Sequence, residues 1–230
     1  DCDGQRVALF PRKGGRAPEL EGTGVTQWLG RLIARMHNVG ARRSFASRGR
    51  IDVASRVDVA AANVLDAQLM PAHLVDRYEQ LVDAVAERLD DLFTAIQPRT
   101  LRLHGDCHPG NVLWTDAGPH FVDLDDCLSG PAVQDLWMLL SGRPAEMAAQ
   151  LHDLLDGYAD FGDFDYHELA LIEPLRTLRL MHYAGWLARR WDDPAFPRAF
   201  PWFGEPRYWE QHVLDLREQL AAMVEPPLSP

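Results

Sequence analysis

The stretch from Leu101 to Asp126 constrains the fold more than any other part of the chain. Leu101-Arg102-Leu103-His104 alternates as a half-buried strand does. Asn111-Val112-Leu113-Trp114 and Phe121-Val122-Asp123-Leu124 are two further short strand-like runs, and Asp116-Ala117-Gly118-Pro119 between them has the composition of a hairpin turn. Between the first two runs, His104-Gly105-Asp106-Cys107-His108-Pro109-Gly110-Asn111 reads as a tight loop. A small β patch therefore sits in the middle of a chain whose other patterns are helical.

Those patterns lie on both sides. Val25, Trp28, Leu29, Leu32, Ile33 and Met36 fall on one face of an amphipathic helix, with Gly40 as its stop. Residues 41–70 are basic at first, then rich in Ala and Val; their weak periodicity reads as loop and short helix. A long helix is expected from Pro71 to Ile96, with an apolar face from Leu74 through Tyr78, Val85 and Leu89 to Ile96, ended by Pro98. Val7-Ala8-Leu9-Phe10 reads as a strand closed by Pro11 and Gly14-Gly15. After Pro131 the periodicity predicts helices over 132–140, 144–160, 167–191 and 206–223, with Pro174 kinking or delimiting the third, and a loose tail over 225–230.

Composition narrows the function classes. At 47% hydrophobic and 25% charged residues the 230-residue chain matches an ordinary globular protein able to bury a core without disulfides. A net charge of -11 argues against nucleic acid or anionic lipid as a general partner. Three irregularly spaced cysteines, Cys2, Cys107 and Cys127, suit a reducing compartment rather than a disulfide framework, and no run is long enough to span a membrane. A cytoplasmic monomer is the expectation. The start, Asp1-Cys2-Asp3-Gly4, reads as a position inside a longer protein.

The loop carries the chemistry. Asp106 and Asn111 stand five apart, and Asp123 follows at the end of the next hairpin. Phosphoryl transfer needs a carboxylate to orient the acceptor hydroxyl and take its proton, and oxygen ligands to hold magnesium against the nucleotide phosphates; protein kinases place an Asp, an Asn and a second Asp at this spacing. Asp106 is then the base, and Asn111 and Asp123 supply the hard oxygen donors that magnesium prefers. Asp125 and Asp126 leave the register of the metal ligand open, since in a strand Asp123 and Asp125 face the same way. The bland alternative is a polar turn whose Asp and Asn satisfy backbone amides. The three groups are expected to face one shared cleft.

Together these motifs resemble the aminoglycoside phosphotransferase and choline kinase superfamily, which shares the protein-kinase fold. The likeness continues through Gly130–Leu140, Leu171–Arg176, Ala188–Trp191 and Asp193–Pro197, where it is to bacterial Ser/Thr protein kinases of the stress-response type. It implies an α+β, protein-kinase-like C-terminal lobe, mainly helical with a small β-hairpin at the catalytic site. It further implies an ATP-dependent phosphotransferase with ATP and magnesium as cofactors and a protein Ser or Thr as acceptor. A small-molecule hydroxyl of the aminoglycoside, choline or homoserine type is the alternative. By the same resemblance Asp106 and Asp123 are catalytic, Asn111 and Asp123 bind the metal, and Asp135 anchors the backbone of the catalytic loop. Residues 1–22 correspond to a remnant of the N-lobe strand and hinge, and 23–230 to the catalytic lobe. Lys13, the only lysine, is misplaced for the phosphate-pairing role, so the chain by itself is expected to fold but to be a poor kinase.

Other features have plainer readings. His104, Cys107, His108 and Cys127 make a weak zinc set; His104 reads instead as a brace for the loop and Cys107 as a small buried residue. The acidic run Asp153, Asp156, Asp160, Asp163, Asp165 reads as a solvated face. Arg176 and Arg179 read as partners in intramolecular ion pairs, and Trp186, Trp191, Trp202 and Trp209 as packing of the last helices.

Overall fold

The computed structural model describes Leu9, residues 11–22 and residues 24–230. The expected strand Val7–Phe10 lies outside the described residues except for Leu9, which is exposed. Helix α1 spans Val25–Gly40 and α2 spans Val53–Asp66; the latter is a helix of 14 residues, longer than the short helix expected within 41–70. Its buried stripe, Val53, Val57, Ala60, Ala61 and Val64, keeps a helical period, but small residues make the signal weak. Helix α3 covers Ala72–Ile96, with Pro71 just before it and Gln97 turning the chain in a left-handed conformation.

The β patch consists of two antiparallel pairs. Strand β1 (Leu101–Leu103) pairs with β4 (Leu128–Gly130), a strand too short to be read from sequence, and β2 (Val112–Thr115) pairs with β3 (Gly118–Phe121). The hairpin is present, but its turn is only Asp116-Ala117, and Gly118 and Pro119 already belong to β3. The third run is corrected more seriously. The strand ends at Phe121, Asp123 adopts a left-handed conformation (φ 61°), and Leu124–Asp126 form a 3-10 turn. Asp123 and Asp125 therefore do not share a strand face.

Helices α4 (Gln134–Trp137), α5 (Pro144–Ala159), α6 (Ile172–Ala188), α7 (Ala195–Ala199) and α8 (Pro206–Ala222) complete the fold. Pro174 delimits α6: it occupies the first turn, where no intrahelical N–H is needed, and a 3-10 segment, Tyr166–Leu171, precedes it. Helix α1 lies on α5, α2 on α6, and α3 on α8. The first contact is close because Gly30 and Gly157 face opposing backbones; a Cβ on either would collide with the carbonyl of Leu154 or Gln27.

The acidic run is a solvated face as expected, with Asp156, Asp160, Asp163 and Asp165 exposed, and part of it also stitches α5 to α1. Thr26 Oγ1 donates to Asp153 at 3.4 Å, Gln27 Nε2 to Asp156 at 2.9 Å and Arg31 Nε to Asp160 at 2.5 Å. The tryptophans do pack the last helices: Trp209 is fully buried against Phe203 and Tyr208, and Trp191 meets Phe203 at a tilt of 51°. In the tail, Leu228 rests against the core instead of hanging free.

Candidate active site

The loop between β1 and β2 is held from below by one carboxylate. Asp135, fully buried at the start of α4, accepts from the His104 N–H at 2.8 Å and the Gly105 N–H at 2.9 Å. This is the anchoring contact that the resemblance implied. Its Oδ2 also meets His37 Nε2 at 3.1 Å, and His37 Nδ1 lies 3.0 Å from the Tyr158 hydroxyl. A carboxylate only accepts, so His37 Nε2 donates to Asp135, and in the neutral ring Nδ1 then accepts from Tyr158 O–H. Burial pushes the Tyr158 hydroxyl up to about 12, which keeps that proton in place. Gln134 adds a second tie, donating from Nε2 to the Gly105 carbonyl at 2.9 Å while its Oε1 accepts from Trp137 Nε1. Gly105 itself has φ 87°, and a Cβ there would strike the Asp126 carbonyl, so glycine is required on both counts.

The same loop exposes Asp106. Its side chain is 18% accessible, and the carboxylate has distinct partners on its two oxygens. Oδ1 pairs with Arg179 from α6. Oδ2 accepts from Asn111 Nδ2 at 3.2 Å and has His108 Nε2 at 3.4 Å. Asn111 Nδ2 also donates to the Asp106 backbone carbonyl at 2.9 Å. With its N–H groups directed at Asp106, the amide presents Oδ1 as the donor atom left for a cation. His108 Nδ1 accepts from the Gly110 N–H at 3.0 Å, which in the neutral ring leaves the proton on Nε2, the nitrogen facing Asp106.

Asp123 lies one residue beyond Val122, whose N–H bonds the Asn111 carbonyl at 3.0 Å, so the hairpin brings its backbone beside the loop. Its carboxylate is exposed and caps no backbone group. A non-glycine residue at φ 61° is uncommon, and Asp is among those that tolerate it. Asp126, not Asp123, shares with Asp106 the cavity lined by Gly105, Gln134, Leu175, Arg179 and His182. Asp106 thus stands between two sides: an α6 side, where this cavity opens, and a hairpin side, where Asn111 and Asp123 lie.

The remaining candidates act structurally. His104 braces the loop as expected, its Nε2 donating to the Val122 carbonyl at 2.9 Å and so fastening the loop to the end of β3. Cys107 is fully buried, and burial pushes its thiol up, so it stays protonated and fills space. Arg176 pairs with Glu173 at 3.6 Å, an intramolecular pair as predicted. Arg179 is also paired, but with Asp106 itself, a partnership no local spacing announces.

Glu168 is a buried carboxylate the sequence reading did not single out. Its Oε2 accepts from the Val133 N–H at 3.0 Å, one residue before α4, and burial raises the carboxyl to about 7. Between the ordinary glutamate value and about 7 the folded state holds more protons than the unfolded state. Stability from this group therefore falls as pH rises through that window. Glu168→Gln is expected to raise the melting temperature at pH 8 relative to the parent and to change it little at pH 5, the difference corresponding to on the order of 2 kcal/mol. Thermal melts of both proteins at the two pH values check it.

Comparison with known proteins fits this geometry. The profile of the phosphotransferase enzyme family matches residues 3–172. Stress response kinase A of Salmonella paratyphi A is 43% identical over 229 residues, covering 98% of this chain and 68% of the relative. The serine/threonine protein kinase RdoA of Salmonella typhimurium matches with the same identity and coverage. Among solved structures, amicoumacin kinase hAmiN, in complex with AMP-PNP, Ca2+ and Ami, superposes with a TM-score of 0.63 at 18% identity, over 96% of this chain and 65% of that one. The chain thus spans about two thirds of the length of the proteins it resembles, and no helix among the described residues is long and apolar enough to cross a membrane.

Proposed function

The chain belongs to the phosphotransferase enzyme family, and from that premise we propose that it transfers the γ-phosphoryl group of ATP to the hydroxyl of a protein Ser or Thr, with Asp106 as proton acceptor. The observation that carries this is the pairing of Asp106 with Asn111 across the loop anchored by Asp135. In the step, the acceptor oxygen forms a bond to the γ-phosphorus and the bond from that phosphorus to the β-γ bridging oxygen breaks. ADP leaves with the bond's electrons, and the hydroxyl proton passes to the Asp106 carboxylate. Asn111 holds that carboxylate in orientation. Arg179 sits on its other oxygen and must yield, or share it, when the hydroxyl arrives.

Asn111 Oδ1 and the Asp123 carboxylate are the oxygens we assign to magnesium. They fit because neither is committed to a contact within the loop: the Asn111 amide donates from nitrogen, and Asp123 caps nothing. Bound there, the ion would neutralise charge on the phosphate oxygens. Within the chain we assign residues 23–230 to the catalytic lobe and 1–22 to the approach from the nucleotide-covering lobe. Arg16 is tied to β2 by paired backbone bonds with Trp114 of 3.1 and 2.7 Å.

Asp123→Ala is expected to weaken magnesium-dependent nucleotide binding by about tenfold or more, and Asp125→Ala by much less, because carboxylate ligands carry most of the attraction for the ion. Titration of Mg-ATP into both variants of the full-length protein measures it, and a larger loss at Asp125 contradicts the assignment. The acceptor is tested by phosphate incorporation from labelled ATP into Ser/Thr peptides beside aminoglycoside, choline and homoserine. Incorporation into the small molecules alone would replace the protein acceptor with the alternative one.

A further inference from the structure

From the cavity beside Asp106 a groove continues between α2 and α6. Arg56 and His182 line both parts, and Arg50, Asn63, Trp186 and Arg189 line the extension. With Arg179 at the inner end, four arginines and a histidine face this one channel, against the acids Asp106 and Asp126. The chain as a whole carries -11, so this concentration of positive charge opposes the background. It is also poorly compensated. Among the described residues Arg179 pairs with Asp106, while Arg50, Arg56 and Arg189 have no carboxylate within ion-pair distance.

We propose that this groove binds acidic residues flanking the acceptor hydroxyl, so that the substrate is a Ser or Thr set in an acidic segment of a protein. The inference rests on the protein-acceptor reading above and adds what that acceptor must look like. The cavity at Asp106 takes the hydroxyl, and the groove receives the chain beyond it. Arginine guanidinium groups fork onto carboxylates, so several of them along a groove select a run of acids rather than one charge. Partial burial keeps Arg56 from full hydration, which strengthens its pull on an incoming carboxylate. His182 has its imidazole pulled below the ordinary value by desolvation first and then by Arg56, with Asp126 opposing and Arg179 and Arg189 adding to the fall. The same field disfavours a cationic amino alcohol or aminoglycoside. Nucleic acid is a weaker candidate, because the rest of this acidic surface repels a long polyanion.

The test uses the full-length protein and two labelled peptides, one with Asp and Glu around a single Ser and one with Asn and Gln in their place. Anisotropy gives the dissociation constants, and labelled Mg-ATP gives transfer. The acidic peptide is expected to bind about tenfold more tightly at low salt, with the advantage shrinking as salt rises. Arg50→Ala combined with Arg189→Ala is expected to erase that preference and to raise KM for the acidic peptide more than it lowers kcat. Both side chains are exposed and the protein should fold normally; Arg77→Ala, on α3 outside the groove, is the matched control. Equal affinity for the two peptides, or a preference that survives the double variant, overturns the inference. Charge-selective binding without phosphate on the Ser supports acidic recognition and instead removes the protein-acceptor reading.

Discussion

Asp106→Asn in the full-length protein is expected to lower phosphoryl transfer by about 10²–10⁴ while leaving Mg-ATP binding nearly unchanged. The change preserves shape, but the single amide oxygen can meet either Asn111 or Arg179 and not both, because the two donors use different oxygens of the carboxylate. What disappears is the carboxylate that takes the acceptor proton. The nucleotide side of the site should be spared because Asn111 and Asp123 lie just outside the two ends of the hairpin, while the cavity next to Asp106 opens toward α6. Single-turnover transfer and nucleotide titration on the same preparation separate the two effects. Near-normal transfer would mean that another group accepts the proton.

Asp135→Asn should be nearly as damaging for a different reason. The buried carboxylate accepts from two backbone N–H groups and from His37, and an amide can offer only one oxygen to those donors. At least one buried donor is left facing an N–H, which costs on the order of 3 kcal/mol with the charge lost as well. That corresponds to roughly 6–12 °C in melting temperature for a domain of this size. Transfer should fall too, because the loop carrying Asp106 hangs from His104 and Gly105. A melt and a turnover assay measure both, and a variant that keeps its melting temperature would show that the anchor is dispensable. His37→Ala should give a weaker version of the same pair of effects, as it removes only one of the donors.

The parts of this site that were legible in the sequence are local. Asp106 and Asn111 meet because five residues of tight loop force them together, and the motif type survives in the one-dimensional pattern. The Asp135 contact was readable only through resemblance, since nothing in the spacing of residues 104 and 135 says that a helix start will face a strand end. His37 and Arg179 reach the loop from α1 and α6, so their roles depend on tertiary packing. Both look like ordinary polar residues on helices whose patterns report burial and nothing more. Asp123 shows another limit. Alternation predicted a strand through Leu124, but the chain turns left-handed at that residue, and a single dihedral decides which way three neighbouring acids point. The acidic run from Asp153 is mostly exposed as its pattern suggested, but its partners were not legible. Charges spaced along α5 report a solvated face, and nothing local says that α1 will bring Thr26, Gln27 and Arg31 to meet them.

A crystal structure of the full-length protein with AMP-PNP and manganese in place of magnesium tests the assignment of the site most directly. Anomalous scattering locates the metal without reference to the protein's own density. The account predicts a metal peak bonded to Asn111 Oδ1 and the Asp123 carboxylate at about 2.0–2.2 Å, with the γ-phosphoryl group directed toward the cavity beside Asp106. A peak held by Asp125 or Asp126 without Asp123, or a γ-phosphoryl group pointing away from Asp106, would contradict it.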